Sequence, residues 1–248
     1  MARAPPSPSL EGAIDIDGSP PDLDRMRPFL VVLAVALVAT ASAVAKPTVR
    51  PVAPFFAATP RADSVVLRER PGGPALATVS GRTEYGSLQT VGIVRTQGSW
   101  VAVISTALPN GVLGWVPRKE LSLRPVAWSI SISLSTRQLV LSRDGVVMRR
   151  VPVGIGSEDS PTPVGRYVVT DHIDPADYGT SGYGCCILAL SGHQPHPPAG
   201  WNANRDWRLA IHGGAPGAVS AGCVHADEAT LRYLMSMTPL GTPVTVVA

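Results

Sequence analysis

The stretch Ala210-Ile211-His212-Gly213-Gly214-Ala215-Pro216-Gly217-Ala218-Val219-Ser220-Ala221-Gly222-Cys223-Val224-His225 decides how this chain is read. The apolar run Leu209-Ala210-Ile211 reads as a strand that ends on His212. Gly213-Gly214-Ala215-Pro216-Gly217 then turns the chain, and Cys223 follows behind Gly222. A thiol has an unperturbed pKa of roughly 8.5, so a nucleophilic cysteine needs help near neutrality. An imidazole can take its proton, and a helix N-terminus shortly after it adds a positive field. A strand-end His212 can meet Cys223 across the intervening loop. Gly222 permits a tight turn in which amides near Gly222 and Cys223 point at a developing oxyanion, and Ser220 supports that turn. His212 also needs a group that fixes its tautomer. No acidic residue is placed for this, so the Gly213 carbonyl is the expected orienter.

Outward from this stretch, residues 126–248 read as a β-rich unit. Ser129-Ile130-Ser131-Ile132-Ser133-Leu134 alternates strictly, as a strand buried on one face does. Gln138-Leu139-Val140-Leu141 and Val146-Val147-Met148 flank Asp144-Gly145, a hairpin signal. Residues 171–205 read as one long loop rich in Pro and Gly, of the kind that serves as a lid. One helix is expected after Asp227, with Leu231, Leu234, Met235 and Thr238 on one face. Before this unit, residues 63–124 read as short strands broken by Pro71-Gly72-Gly73-Pro74, Gly86, Gly98-Ser99 and Pro109-Asn110-Gly111. Near-even spacing of short runs predicts a small barrel with Trp100 and Trp115 in its core.

The N-terminus reads as an export signal. Arg25 and Arg27 precede the uncharged run Phe29–Ala39, and small residues follow through Ala45. The 17 positions from 29 to 45 are the lower limit for spanning a bilayer, so an uncleaved anchor is the alternative. The 25 residues before Met26 are Pro-rich and acidic, which makes Met26 the expected start and a cytoplasmic tail the rival reading. The expected division is therefore an extension with signal peptide or anchor at 1–45, a Pro/Ala-rich linker at 46–62, then the two β units. Beyond residue 45 there are 18 Lys/Arg against 13 Asp/Glu, about +5, scattered along the chain. Mild positive charge suits an anionic envelope, and its lack of clustering argues against nucleic-acid binding. Of three cysteines, Cys223 is the leftover reactive thiol; vicinal Cys185-Cys186 are expected as two buried thiols. His193-Gln194-Pro195-His196 lacks a carboxylate and helical spacing, so no metal is expected. No Gly-rich phosphate loop or paired-carboxylate arrangement stands out, so no cofactor is expected.

Residues 126–248 resemble the catalytic domain of the L,D-transpeptidases, the YkuD-like family of cell-wall enzymes. The resemblance runs in order through the opening strand and hairpin, Val153-Gly154, Thr162-Pro163-Val164-Gly165, Leu190-Ser191-Gly192-His193-Gln194, Ile211-His212-Gly213, Ser220-Ala221-Gly222-Cys223-Val224 and Gly241-Thr242-Pro243-Val244. Gly98-Ser99-Trp100-Val101-Ala102-Val103 and Asn110-Gly111-Val112-Leu113-Gly114-Trp115-Val116-Pro117 resemble the end of bacterial SH3-like domains. The fold class implied is mainly β: a small SH3-like barrel followed by a YkuD-like catalytic domain with one helix in its C-terminal half.

The resemblance implies Cys223 as nucleophile and His212 as base, with Gly213, Gly222 and Ser220 completing the catalytic set. It implies His225, Arg208, Ser191 and His193 as substrate-binding residues and peptidoglycan stem peptides as partners. Ala221 stands where the family usually has a second His, and His225 where it usually has Arg. The expected activity is crosslinking of stem peptides through a cysteine acyl-enzyme outside the cytoplasm, with carbapenem sensitivity. Water as acceptor gives an L,D-carboxypeptidase, and the two departures leave a non-catalytic wall-binding protein as the rival of another class. A cysteine endopeptidase of the kind fused to SH3-like domains has Cys before His in the chain, the reverse of this order. A metallohydrolase lacks its ligands.

Overall fold

The computed structural model describes residues 55–178, 181–202 and 207–248. The expected signal or anchor (29–45), the start at Met26 and most of the linker lie outside them. No helix among the described residues is long and apolar enough to cross a membrane.

Seven strands form an antiparallel first sheet: β1 Phe55–Pro60, β2 Ser64–Arg68, β3 Ala75–Ser80, β4 Val91–Gln97, β5 Trp100–Ile104, β6 Gly114–Pro117 and β7 Leu121–Val126. Their order is β3-β2-β6-β5-β4-β1-β7. A core of its own holds Val65, Leu67, Val91, Val101, Val103, Val116 and Leu121. The unit starts earlier than its apolar alternation predicts. Residues 55–60 of the expected linker are β1, paired with both β4 and β7. Ala57 and Ala58 are fully buried there, and methyl side chains give too weak an apolar signal to mark a strand. Trp115 is buried, whereas Trp100 is only half-buried.

Ten strands form the second sheet: β8 Trp128–Ser133, β9 Gln138–Arg143, β10 Val146–Pro152, β11 Gly154–Gly156, β12 Gly165–Ile173, β13 Ile187–His193, β14 Arg208–Gly213, β15 Gly217–Ser220, β16 Val224–Ala226 and β17 Pro243–Val247. The order is β10-β9-β8-β17-β12-β13-β14-β16-β11-β15. In β8, Ile130 and Ile132 are buried while Ser131 is exposed, as alternation requires. The β9–β10 hairpin turns at Asp144 and Gly145, both at positive φ (50° and 79°), the backbone that an Asp-Gly turn demands. The 171–205 segment is not one loop. β12 extends through Ile173, and β13 occupies the centre of the sheet between β12 and β14. The flanking Gly and Pro residues hide Ile187-Leu188-Ala189-Leu190, a short run buried on both faces.

Cys185 and Cys186 form a disulfide, which replaces the expectation of two thiols and leaves Cys223 as the free cysteine among the described residues. The helix α1, Glu228–Met237, follows Asp227 as expected and buries Leu231 and Leu234 against the sheet core. Asp227 caps it: one carboxylate oxygen accepts from the Thr230 amide at 2.8 Å and the other from the Thr230 hydroxyl at 2.7 Å. Those bonds hold the Asp227 carboxyl below the usual carboxylate range. Asp227→Ala is expected to lower stability by about 1 kcal/mol. A urea titration with an unchanged m-value checks it.

Candidate functional site

The site begins with a register. β14 and β16 pair in parallel, with Ile211 opposite Val224, His212 opposite His225 and Gly213 opposite Ala226. Successive side chains on a strand point to opposite faces. Ile211, Val224 and Ala226 therefore enter the core, where all three are buried, while His212 and His225 face the other way. Cys223, two residues before His225, shares their face. Ile187 and Ala189 of β13 and Ile173 of β12 extend this face across the sheet. Together they line a cavity of about 530 Å³ that also takes in Gln194, Arg208 and an aromatic rim of Tyr85, Tyr183, Trp201 and Trp207. Tyr85 comes from the first sheet's unit, so both β units wall the cavity. The indole rings of Trp201 and Trp207 lie 4.2 Å apart.

His212 is 7% exposed and its Nδ1 lies 2.7 Å from the Gly213 carbonyl oxygen. A carbonyl only accepts, so Nδ1 carries the proton and Nε2 keeps a lone pair. Tyr183 stands edge-on to the ring at 4.7 Å. Burial lowers the His212 pKa to about 4, with the Gly213 bond opposing and the neighbouring His225 adding to the drop. Cys223 is half-buried, and burial pushes its thiol up to about 11, opposed by the Ala210 N–H. The resting pair is therefore neutral thiol and neutral imidazole. β16 separates Cys223 from α1, so the helix does not start directly behind the thiol.

The turn before Cys223 is closed by Ser220. Its hydroxyl accepts from the Gly222 amide at 3.1 Å and donates to the Cys223 carbonyl at 2.5 Å. Gly222 sits at φ +110°, and a Cβ there would lie 2.0 Å from the Gln194 side-chain nitrogen. The close approach at this glycine is thus made by Gln194, which falls within the stretch expected as a lid loop. Gln194 is buried and its amide donates to the carbonyls of Ala221 (2.8 Å), Pro161 (3.2 Å) and Ser160 (3.3 Å). Its oxygen accepts from the His196 amide at 3.0 Å. One side chain thereby ties the 160–161 loop and the Cys223 turn to the end of β13. The glycine beside the cysteine was the sequence signal of this contact.

The expected substrate-binding residues separate in space. His225 lines the cavity, its ring 4.8 Å from that of His212. Arg208 also lines it, but its guanidinium is committed: it donates to Glu84 (2.5 Å), Thr170 Oγ1 (2.6 Å) and the Leu190 carbonyl (2.7 and 2.9 Å), with buried Asp171 at 3.8 Å. Ser191 lies outside the lining; its hydroxyl accepts from the Val168 amide at 3.0 Å inside the sheet. His193 lies outside it too, its backbone held by both ends of the Asn110 amide at 2.7 and 2.9 Å. Among the described residues no group of three His, Cys, Asp or Glu is arranged to hold a metal ion.

Two outcomes follow from this geometry. Below pH 6.5 the unfolded chain takes a proton at His212 that the folded site refuses until about pH 4, so stability falls as pH drops through that window. The loss is roughly 3 kcal/mol at most, and urea titrations at pH 7 and 4.5 should show a smaller difference for His212→Gln than for the parent. Arg208→Met leaves the Asp171 carboxylate buried without its cation and is expected to cost about 3 kcal/mol; calorimetry of the two proteins measures it.

Residues 127–246 match the YkuD family, the L,D-transpeptidase catalytic domain. A comparison with curated proteins finds no match. Among solved structures, the chain is similar to L,D-transpeptidase 1 of Mycobacterium tuberculosis at 19% identity, covering 61% of this chain and 87% of that one with a TM-score of 0.36. An L,D-transpeptidase from Mycobacterium smegmatis matches at 16% identity, 79% and 100% coverage and a TM-score of 0.37. The Enterococcus faecium L,D-transpeptidase matches at 18% identity over 49% of this chain with a TM-score of 0.34, and the alignment spans about half (50%) of that chain's length. The matched stretch, residues 127–246, contains Cys223, His212 and the β14–β16 pair that lines the cavity.

Proposed function

We propose that this chain is an exported peptidoglycan L,D-transpeptidase that crosslinks stem peptides through a Cys223 thioester. The observation that carries the reading is the placement of Cys223 and His212 on one cavity wall, with the His212 Nδ1 proton committed to Gly213 and Nε2 left as a base. A thiol near 11 beside an imidazole near 4 does not support a standing ion pair, so the proton moves as the sulfur attacks. The sulfur attacks the carbonyl of an L-centred amide next to a terminal D-residue, and His212 takes the thiol proton. The Gly222 amide is held by the Ser220 hydroxyl, which leaves the Cys223 amide as the turn's donor to the developing oxyanion. Collapse breaks the C–N bond, the D-amino acid leaves with the proton from His212, and a thioester remains. An amine of a second stem then resolves it. The aromatic rim limits water at this stage.

The apolar run at 29–45 is proposed as the export signal or anchor, and the seven-stranded unit at 55–126 as an SH3-like domain. Incubation of the full chain with disaccharide-tetrapeptide, followed by muropeptide analysis, separates the outcomes. Crosslinked dimers support transpeptidation, tripeptide alone points to water as acceptor, and unchanged substrate counts against an enzyme. Carbapenem should add one covalent adduct by intact mass, and Cys223→Ala should remove it; an adduct that survives the substitution overturns Cys223 as nucleophile.

A further inference from the structure

The His225 side chain is seated as carefully as His212, and the mechanism above leaves it unused. Its Nδ1 lies 2.9 Å from the Ala215 carbonyl oxygen, so this imidazole too donates from Nδ1 and keeps its lone pair on Nε2. The ring rests flat on backbone: a Cβ at Gly214 would lie 2.5 Å from Nδ1 and 2.7 Å from Cε1. A Cβ at Gly154, its partner in the β11–β16 pair, would lie 3.0 Å from the His225 Cβ. Two side-chain-free residues and one carbonyl thus hold the ring in a fixed orientation. It faces the cavity beside His212, two residues from Cys223 on the same strand face. His225 is less buried than His212.

We infer that His225 is a second base of this site, which takes the surplus proton from a cationic amine acceptor before that amine attacks the Cys223 thioester. The inference rests on the transpeptidase reading and concerns its second half-reaction. A primary amine arrives near neutrality as an ammonium ion and has two protons to lose before an amide forms. His212 can hold one. Two imidazoles 4.8 Å apart do not both ionise readily, so the protons must leave in sequence through different nitrogens. The ammonium gives its first proton to Nε2 of His225, which passes it to water before the amine attacks. The freed lone pair attacks the thioester carbonyl carbon, and the second proton passes to Nε2 of His212. The C–S bond then breaks, and the sulfur leaves with the proton from His212. The net change is thioester plus ammonium to amide, thiol and one released proton. Besides His212 on the paired strand β14, the ionisable groups lining the cavity are Cys223, Tyr85, Tyr183 and Arg208, and Gly154, Gly214 and the Ala215 carbonyl pack on the His225 side chain.

His225→Asn tests this in the full chain, because the Asn amide can keep the bond to Ala215 while removing Nε2. Donor tetrapeptide and a primary-amine acceptor are supplied, and the ratio of crosslinked to hydrolysed product is read from pH 6 to 10. The ratio should fall at least about tenfold at pH 7 and recover toward the parent value near pH 10, where the amine arrives already deprotonated. A ratio equal to the parent's at every pH, or one reduced equally at every pH, overturns the inference. Intact mass of the donor adduct is read in parallel: a parent protein that forms no thioester overturns the transpeptidase reading itself, and this inference with it.

Discussion

The parallel pairing of β14 with β16 is the constraint on which the site depends. Because side chains alternate along a strand, placing Ile211 opposite Val224 sends one set of residues into the core and the other into the cavity. The core set, Ile211, Val224 and Ala226 with Leu188, Leu190, Leu231 and Leu234, is buried almost completely. A slip of one residue would put His225 into that core and Val224 into the cavity. The desolvation cost of a buried imidazole and the lost apolar burial both oppose it. Hydrophobic packing on one face therefore holds the chemistry of the other face in register.

Around that register the chain works by close backbone approach. Gly213 meets Gly184, with a Cβ there falling 2.8 Å from the Gly184 Cα, which lets Tyr183 reach the His212 ring. Gly214 makes room for the His225 ring, and Gly222 for the Gln194 amide. Gln194 is the side chain through which three separate segments are tied together, and its donors are spent on carbonyls that the turns leave unpaired.

The two β units are joined at the cavity wall by charge. Asp171 is fully buried; it accepts from the Thr83 hydroxyl of the first unit and lies beside Arg208, which in turn reaches Glu84 of the first unit. A buried carboxylate is tolerated only with such partners. The network also holds the 83–85 segment that presents Tyr85 to the cavity. Arg208, by residue type the natural candidate for a substrate carboxylate, is thus consumed by structure. His225 lines the cavity without any part in that network.

What the amino-acid sequence determined by itself is local or ordered along the chain. It marked the alternation of Ser129–Leu134, the Asp144-Gly145 turn, the α1 cap at Asp227 and the order of His212 before Cys223. Each depends on a residue and its near neighbours, so periodicity and turn chemistry suffice to read it. Strands β1 and β13 escaped because small residues, or burial on both faces, leave no alternation to see. Only the tertiary structure decided which polar groups meet. Gln194 on Gly222 spans 28 positions, Arg208 to Glu84 spans 124, and the disulfide at Cys185–Cys186 forms where Gly184 packs on Gly213. The ionisation of His212 and Cys223 was likewise beyond the sequence, because desolvation is set by the walls that folding brings around them.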